Sequence, residues 1–458
     1  MVRWVIGALA AVLTGVALYW GVLLIRRVET PIVVGLLHSR TGPLGGVEEP
    51  MLDAEILALE EINAEGGLLG RKVKWVIADG RSDPQTFRGE ARRLIETDKV
   101  CALFGGLTSA CRREMEEVAK ASKILIFNAG QYEGCEYARD MVGFGPLPNQ
   151  QAVPVVSWCM DSLKARKFFL AGIDDVSSYA IHAVVRDQLK AVGGSVVGEG
   201  FVKVDGSGVS ELVAAMKTAG ADVVVSSIVG DANRPFLQQA TVAGLTADKL
   251  PMVCLRVSED DLKGLPHEQT VGRYAAWSYF HTADDERSRR FVDKFKARFG
   301  DDRTTSDPAA SAYFAVKFWA QAVAEGESTD TVEVRDHVSR QSMEVGAGVG
   351  VVAMDIDMIL VGRPRRIGEI PRDGRIEQVW ALDRPIRPVP FPVFHTRTVG
   401  EAALRRWRID GKPGLPEPSA SSSATSTSPK AAATAPPPVV WGPRGTVRAA
   451  AGPRESPR

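Results

Sequence analysis

The 458-residue chain carries Lys+Arg 56 against Asp+Glu 56, for a formal net charge of +0, and is 45% hydrophobic and 24% charged. Such a chain has the core of a globular protein, in a length that suits two domains, and it offers no electrostatic footprint for a phosphate backbone, so nucleic acid is excluded as an expected partner. Five cysteines are few and odd in number for an extracellular disulfide scaffold, and they read as small buried hydrophobes; a Cys111–Cys135 pairing is left open, because both fall in loop or helix-start contexts.

From Trp4 to Ile25 no residue is charged. As a helix these residues would span roughly 33 Å against roughly 30 Å of bilayer hydrocarbon. Bulky Tyr19, Trp20, Leu23, Leu24 and Ile25 stand where a cleavable signal would carry small residues, so residues 1–30 are expected to be an uncleaved membrane anchor spanning at 4–25. Arg26 and Arg27 follow the span while only Arg3 precedes it, which by the positive-inside tendency argues for a cytoplasmic body.

A regular alternation follows. The apolar runs "IVVGLL" (Ile32–Leu37), "VKWVI" (Val73–Ile77), "CALF" (Cys101–Phe104) and "ILIF" (Ile124–Phe127) read as strands. Helical stripes lie between them, such as Leu52, Ile56, Leu59 and Ile62, then Phe87, Ala91, Leu94 and Ile95. "SDP" places Asp83 at an N-cap with Pro84 in the first turn, and it recurs as Ser306, Asp307 and Pro308 before a second helical stretch. The strand pattern restarts at Phe168, Ser195, Val223 and Met252, with a stripe of Ile181, Val184, Val185 and Leu189 among the helices. Strands apolar throughout and alternating with helices predict an α/β protein of two doubly wound parallel-sheet lobes. Ligands of such sheets sit at the strands' carboxyl ends, so the expected site is a cleft lined by strand-to-helix corners. From about Gly411 the chain is Pro, Ala, Ser and Thr with little to bury, and residues 411–458 are expected to be a disordered tail.

One such corner is "FGGLTSACRR", Phe104 to Arg113. Gly105 and Gly106 let backbone approach closely, Thr108 or Ser109 can cap the next helix, and the helix-start amides suit a small polar or anionic group. For an enzyme, G-x-x-x-x-G-K-[ST], G-x-S-x-G and H-E-x-x-H are all missing, and the six histidines are scattered without metal spacing. Neither catalysis nor a cofactor is expected. His38 is the one histidine expected near the cleft, in a structural role, and Glu48 and Glu49 read as carboxylates complementing a helix start. Tyr132 and Glu133 read as braces for their loop.

The stretches "VGLLHSRTGPLG", "LALEEINAEGGLLGRKVKWVIAD", "QYEGCEY", "GPLPNQQAVP", "TSDPAASAY", "RIGEI" and "PIRPVPFPV" resemble, in matching order from Pro31 to Thr396, the urea and short-chain-amide binding proteins of ABC importers. These belong to the branched-chain amino-acid binding, or type I periplasmic binding protein, group. The resemblance implies two Rossmann-like lobes joined by three hinge crossings: residues 31–145 with 282–344, and 146–281 with 345–400. It implies an extracytoplasmic protein that closes on a small polar solute and serves an ABC permease or a membrane receptor; dimers occur in the group. It also implies ligand contacts at Leu107, Thr108 and Ser109, at Asn128 and Gly130, and at Asp175. Relatives carry an aromatic at the position of Leu107 and tyrosines at those of Asn128 and Asp175, so this cleft differs in volume and polarity. An ionised Asp175 facing it would favour a ligand with an amine or several N–H donors. The alternative is a sensing or interaction protein with the same fold and a degenerate pocket.

Overall fold

The computed structural model describes residues 13–16, 19–20, 30–136, 140–345, 350–355, 360–391 and 397–410. Most of the expected membrane span at 4–25, and all of the tail at 411–458, lie outside the described residues. Residues 13–16 and 19–20 are helical and exposed, and no helix among the described residues is long and apolar enough to cross a membrane.

The first alternating block forms β1 (Ile32–His38), α1 (Gly45–Ala64), β2 (Val73–Asp79), α2 (Pro84–Glu96), β3 (Ala102–Gly105), α3 (Ser109–Ser122), β4 (Leu125–Asn128) and β5 (Met141–Gly143). A second block follows with α4 (Ala152–Ser162), β6 (Lys167–Ile173), α5 (Val176–Val192), β7 (Ser195–Val202), α6 (Val209–Thr218), β8 (Val223–Ser227), α7 (Asn233–Val242), β9 (Met252–Cys254), the short α8 (Glu259–Leu262) and α9 (His267–Thr270), and β10 (Tyr274–Trp277). Then come α10 (Glu286–Phe299), α11 (Asp307–Glu325), α12 (Thr331–Val338), β11 (Ser342–Val345), β12 (Gly350–Asp355), β13 (Leu360–Val361), β14 (Arg363–Glu369), β15 (Glu377–Ile386) and α13 (Arg397–Asp410).

The strands make two sheets, ordered β11-β12-β13-β5-β4-β3-β1-β2 and β15-β14-β10-β9-β8-β6-β7. Each is parallel in its middle, where every residue of β3, β4 and β8 is buried. Helices cover both faces of the first sheet: α1 and α11 through Met51, Leu59, Phe318 and Trp319, and α2 and α3 through Phe87, Leu94 and Met115. The purely parallel expectation is corrected at the edges, because β11–β12, β12–β13, β10–β14 and β14–β15 all pair antiparallel. The strands β12 and β13 also lie in the first sheet, whereas the expected division gave all the chain after Val345 to the second lobe. Their hairpin-like antiparallel connection to β11 carries them there.

The chain passes between the sheets three times, after β5, after β10 and between β13 and β14. Arginines of β14 tie the three passages together. Arg363 donates to the Phe144 carbonyl at 2.6 Å and to Asp307 at 2.7 Å, and the other Asp307 oxygen accepts the backbone N–H groups of Ser278 (2.7 Å) and Tyr279 (3.0 Å). Arg365 donates to the carbonyls of Gln150 (2.7 Å) and Ala276 (3.2 Å), and Arg366 donates to that of Ser278. Burial, aided by Arg363 and Arg366 and opposed by Asp307, pushes Arg365 down to about 9.

The two "SDP" sequences thus diverge. Asp83 caps α2 by accepting the Thr86 N–H at 2.7 Å, whereas Ser306 takes the N-cap position of α11 and frees the Asp307 carboxylate for the crossings. At the end of the described chain, Ala403, Leu404 and Trp407 of α13 pack with Tyr179, Ala180 and Ala183 of α5 and with Cys135, whose N–H donates to the Pro390 carbonyl at 2.7 Å. All five cysteines are free thiols, which corrects the Cys111–Cys135 pairing: Cys111 is packed with Phe87 and Met115, Cys135 with α13.

Candidate ligand-binding cleft

At the first sheet's carboxyl edge, β3 runs into Gly105, whose φ of +128° and close contact with the Leu37 carbonyl leave no room for a Cβ. Thr108 then takes the N-cap of α3 and accepts the Cys111 N–H at 3.3 Å. Ser109 is buried and donates to one Glu133 oxygen, while the other accepts from Arg112 at 3.0 Å. Arg112 also pairs with Glu116 and lies 4.8 Å over the Tyr132 ring. Burial alone would depress its pKa, and the carboxylates of Glu116 and Glu133 overcome that and hold it above the ordinary arginine value. Asn128 donates to the carbonyls of Gly105 (2.9 Å) and Gly106 (2.6 Å). Gly130 presses so closely on the Leu107 carbonyl that a Cβ would overlap it.

At the second sheet's edge, Asp175 caps α5: its carboxylate accepts the Ser178 N–H at 2.8 Å and the Ser177 hydroxyl at 2.8 Å. Arg256, two residues beyond β9, is 7% exposed. It donates through Nη2 to the Ser177 hydroxyl and through Nε to Gln131, a residue of the loop after β4, so one guanidinium spans both sheets' loops. Its Nη1 is 3.9 Å from Asp175, beyond hydrogen-bond reach. Burial holds this guanidinium below the ordinary arginine range, with Asp175 and Glu133 opposing.

Between these corners lies the cleft pocket. Leu107, Val229, Trp277 and Pro308 form apolar walls, with Thr108, Gly130 and Arg256 also facing in. Arg256 is the one charged side chain among the described residues that line it. The free volume is about 20 Å³, room for a water molecule or two, so the sheets' edges are drawn together in this conformation.

Of the six residues expected to touch ligand, Leu107, Thr108 and Gly130 line the pocket. Ser109, Asn128 and Asp175 do not: the Ser109 hydroxyl serves Glu133, the Asn128 amide N–H groups serve the Gly105–Gly106 carbonyls while its Oδ1 is buried without a partner, and Asp175 caps α5. The expected open carboxylate at Asp175 is therefore corrected, and the cleft's charge is the Arg256 cation. Sequence reasoning passed over Arg256, although "MVCLR" ends a buried strand in a basic residue at the edge where ligands bind. Trp277, at the end of β10, carried the same positional signal. His38 is fully buried between Glu55 (2.9 Å) and Glu48 (3.2 Å), whose charges, against burial, raise it to about 10. Glu48 stands in the first turn of α1, as expected, and is in addition an ion-pair partner of His38.

Two sheets crossed three times by the chain, with strand-end loops facing each other across a pocket, define the two-lobe class of binding protein. Residues 32–397 match the family model described as periplasmic binding protein domain, and the chain belongs to that family. It is 25% identical over 386 residues to Leu/Ile/Val-binding protein homolog 7 of Brucella melitensis, covering 79% of this chain and 94% of that one. In fold it is similar to a solute-binding protein of an ABC transporter from R. palustris in complex with 4-hydroxybenzoate, with a TM-score of 0.70, 16% identity, and coverage of 78% and 98% of the two chains. It is also similar to the branched-chain amino acid transporter substrate binding protein of Streptococcus pneumoniae in complex with isoleucine, with a TM-score of 0.66, 19% identity, and coverage of 78% and 100%.

Proposed function

We propose that this protein is an extracytoplasmic solute-binding component of an ABC importer, tethered by residues 4–25, whose lobes close on a small carboxylate and present it to a membrane permease. The observation that carries this reading is Arg256, a nearly buried guanidinium with one nitrogen facing no acceptor within hydrogen-bond reach. A buried cation of this kind favours an anion, and a guanidinium fork matches a carboxylate best. The isoleucine and 4-hydroxybenzoate held by the two similar structures both carry that group, joined to an apolar body that Leu107, Val229 and Trp277 would suit here. This moves the expected ligand away from urea, neutral amides and amines, because the Asp175 carboxylate that would have received them is occupied by α5. Solute contacting both lobes would stabilise the closed form, a population shift that a permease can read.

A second reading is favoured by the pocket's volume of about 20 Å³ and by the inward-turned Ser109 and Asn128: a sensing or interaction protein that kept the fold without a solute. One titration separates the two. Purified protein is screened by thermal shift and calorimetry against branched-chain amino acids, aryl carboxylates, acetamide, urea and simple amines. Saturable binding of carboxylates, lost in Arg256→Met, is the expected result. Stabilisation by neutral amides alone overturns the carboxylate reading, and no saturable ligand in the panel favours the second.

A further inference from the structure

Away from the cleft, a cavity of about 270 Å³ opens in the flank of the first sheet's body, between α10, α11 and the strands β11 to β13. Its walls are apolar: Phe291 of α10, Phe314 of α11 and Met343 of β11 pack against the core yet stay only half-buried. Apolar surface left uncovered inside a concavity, rather than scattered singly, marks a place where a ligand's apolar body gains burial.

The rim is basic. Arg287, Arg290 and Lys294 stand three and seven residues along one face of α10, beside Phe291, and Lys317 faces them from α11. Glu344 is the one acidic residue among the described lining residues. Lys294 and Lys317 are both engaged by Glu61, at 2.7 and 2.8 Å. Arg287 pairs with the Glu344 carboxylate at 2.6 Å, with side chains 51% and 59% exposed, and donates to the Glu344 carbonyl at 2.8 Å; Arg290 pairs with the equally open Glu286. Exposed pairs of this kind contribute little, so both arginines can turn to an incoming anion at small cost.

We propose that this cavity is a second ligand site, for an amphiphilic carboxylate: an aromatic or branched apolar body lies among Phe291, Phe314 and Met343, and its carboxylate is received by Arg287 and Arg290. The proposal stands independently of what the cleft binds.

The probe is 2-naphthoate, with neutral 2-naphthamide as its uncharged counterpart, titrated calorimetrically into the full chain carrying Arg256→Met so that the cleft cation is absent. Saturable one-to-one binding is expected, with about tenfold or greater weakening for the amide and for Arg287→Gln/Arg290→Gln, whose melting temperature stays near that of its parent. A crystal of the unsubstituted protein grown with 6-bromo-2-naphthoate should show the bromine's anomalous signal between α10 and α11. No saturable binding, equal affinity for the amide, indifference to the two arginines, or a bromine signal confined to the cleft would each overturn the proposal.

Discussion

Arginines occupy two places where the sheets meet, and the molecule uses them in opposite ways. At the crossings, Arg363, Arg365 and Arg366 are spent on fixed acceptors: the carbonyls of Phe144, Gln150, Ala276 and Ser278 and the carboxylate of Asp307. In the cleft, Arg256 holds Ser177 and Gln131 with two nitrogens and keeps the third 3.9 Å from its counter-charge. Burial is similar in both places, so burial alone does not tell a girder from a binding group. What separates Arg363 from Arg256 is the counter-charge: Asp307 accepts from Arg363 at 2.7 Å, whereas Asp175 stays 3.9 Å from Arg256; Arg365 is held by carbonyls alone, with its Nη2 buried and unmatched.

Substitutions at four positions test that contrast. Arg363→Met should have the largest effect, because it strands the buried Asp307 carboxylate at the junction of the crossings: a loss of about 3–5 kcal/mol of stability by urea unfolding is expected. If the loss is within experimental error, the crossings are not held by charge. Arg256→Met should do the reverse, weakening carboxylate binding by about a hundredfold while unfolding moves little, and Arg256→Lys should fall between. A variant that unfolds but binds normally when folded would erase the distinction between the two places.

Glu259→Gln sharpens the comparison from the acidic side. Burial pushes the Glu259 carboxyl up to about 8, with Asp260 and Asp307 adding to this and the His281 N–H opposing it. The folded state therefore holds this proton where the unfolded chain, near 4.5, has released it, and stability falls as pH rises from about 4.5 to about 8. The amide carries no such charge, so its advantage in melting temperature over the native protein should grow across that window; a constant difference would show that Glu259 does not titrate there. Ser109→Ala should be smallest, costing about 1–2 kcal/mol of stability through the lost bond to Glu133 and leaving carboxylate affinity within about threefold. A larger loss of affinity would return Ser109 to the ligand.

The sequence made the sheets legible because their signal is local. Apolar β-branched runs such as "ILIF" and "VVVSS", set between helical stripes such as Phe87, Ala91, Leu94 and Ile95, read as buried strands with helices to cover them, and they are. The positions of corners were legible for the same reason, and Leu107, Thr108 and Gly130 fall in the pocket. Side-chain direction was not, since it depends on partners far along the chain: Ser109 is claimed by Glu133, Asp175 is claimed by its own cap, and Asp307 answers to Arg363 some 56 residues away. The strands after Val345 were hidden for a different reason. The antiparallel strand "RPRRIGE", paired on both sides, carries three arginines whose burial is justified only by carbonyls and a carboxylate on other segments.

The packing of α13 has a kinetic consequence. Trp407 and Leu404 sit where α5, whose first turn bears the Asp175 cap, meets Cys135 on the loop that also holds Gln131. Swinging the halves apart must pull one side off this wedge and wet it, at about 2 kcal/mol for a side chain of this size, or roughly thirtyfold in the ratio of shut to open molecules. In the closure proposed above, such a bias would favour the shut form of the empty molecule, and slipping of the wedge would gate entry to the cleft.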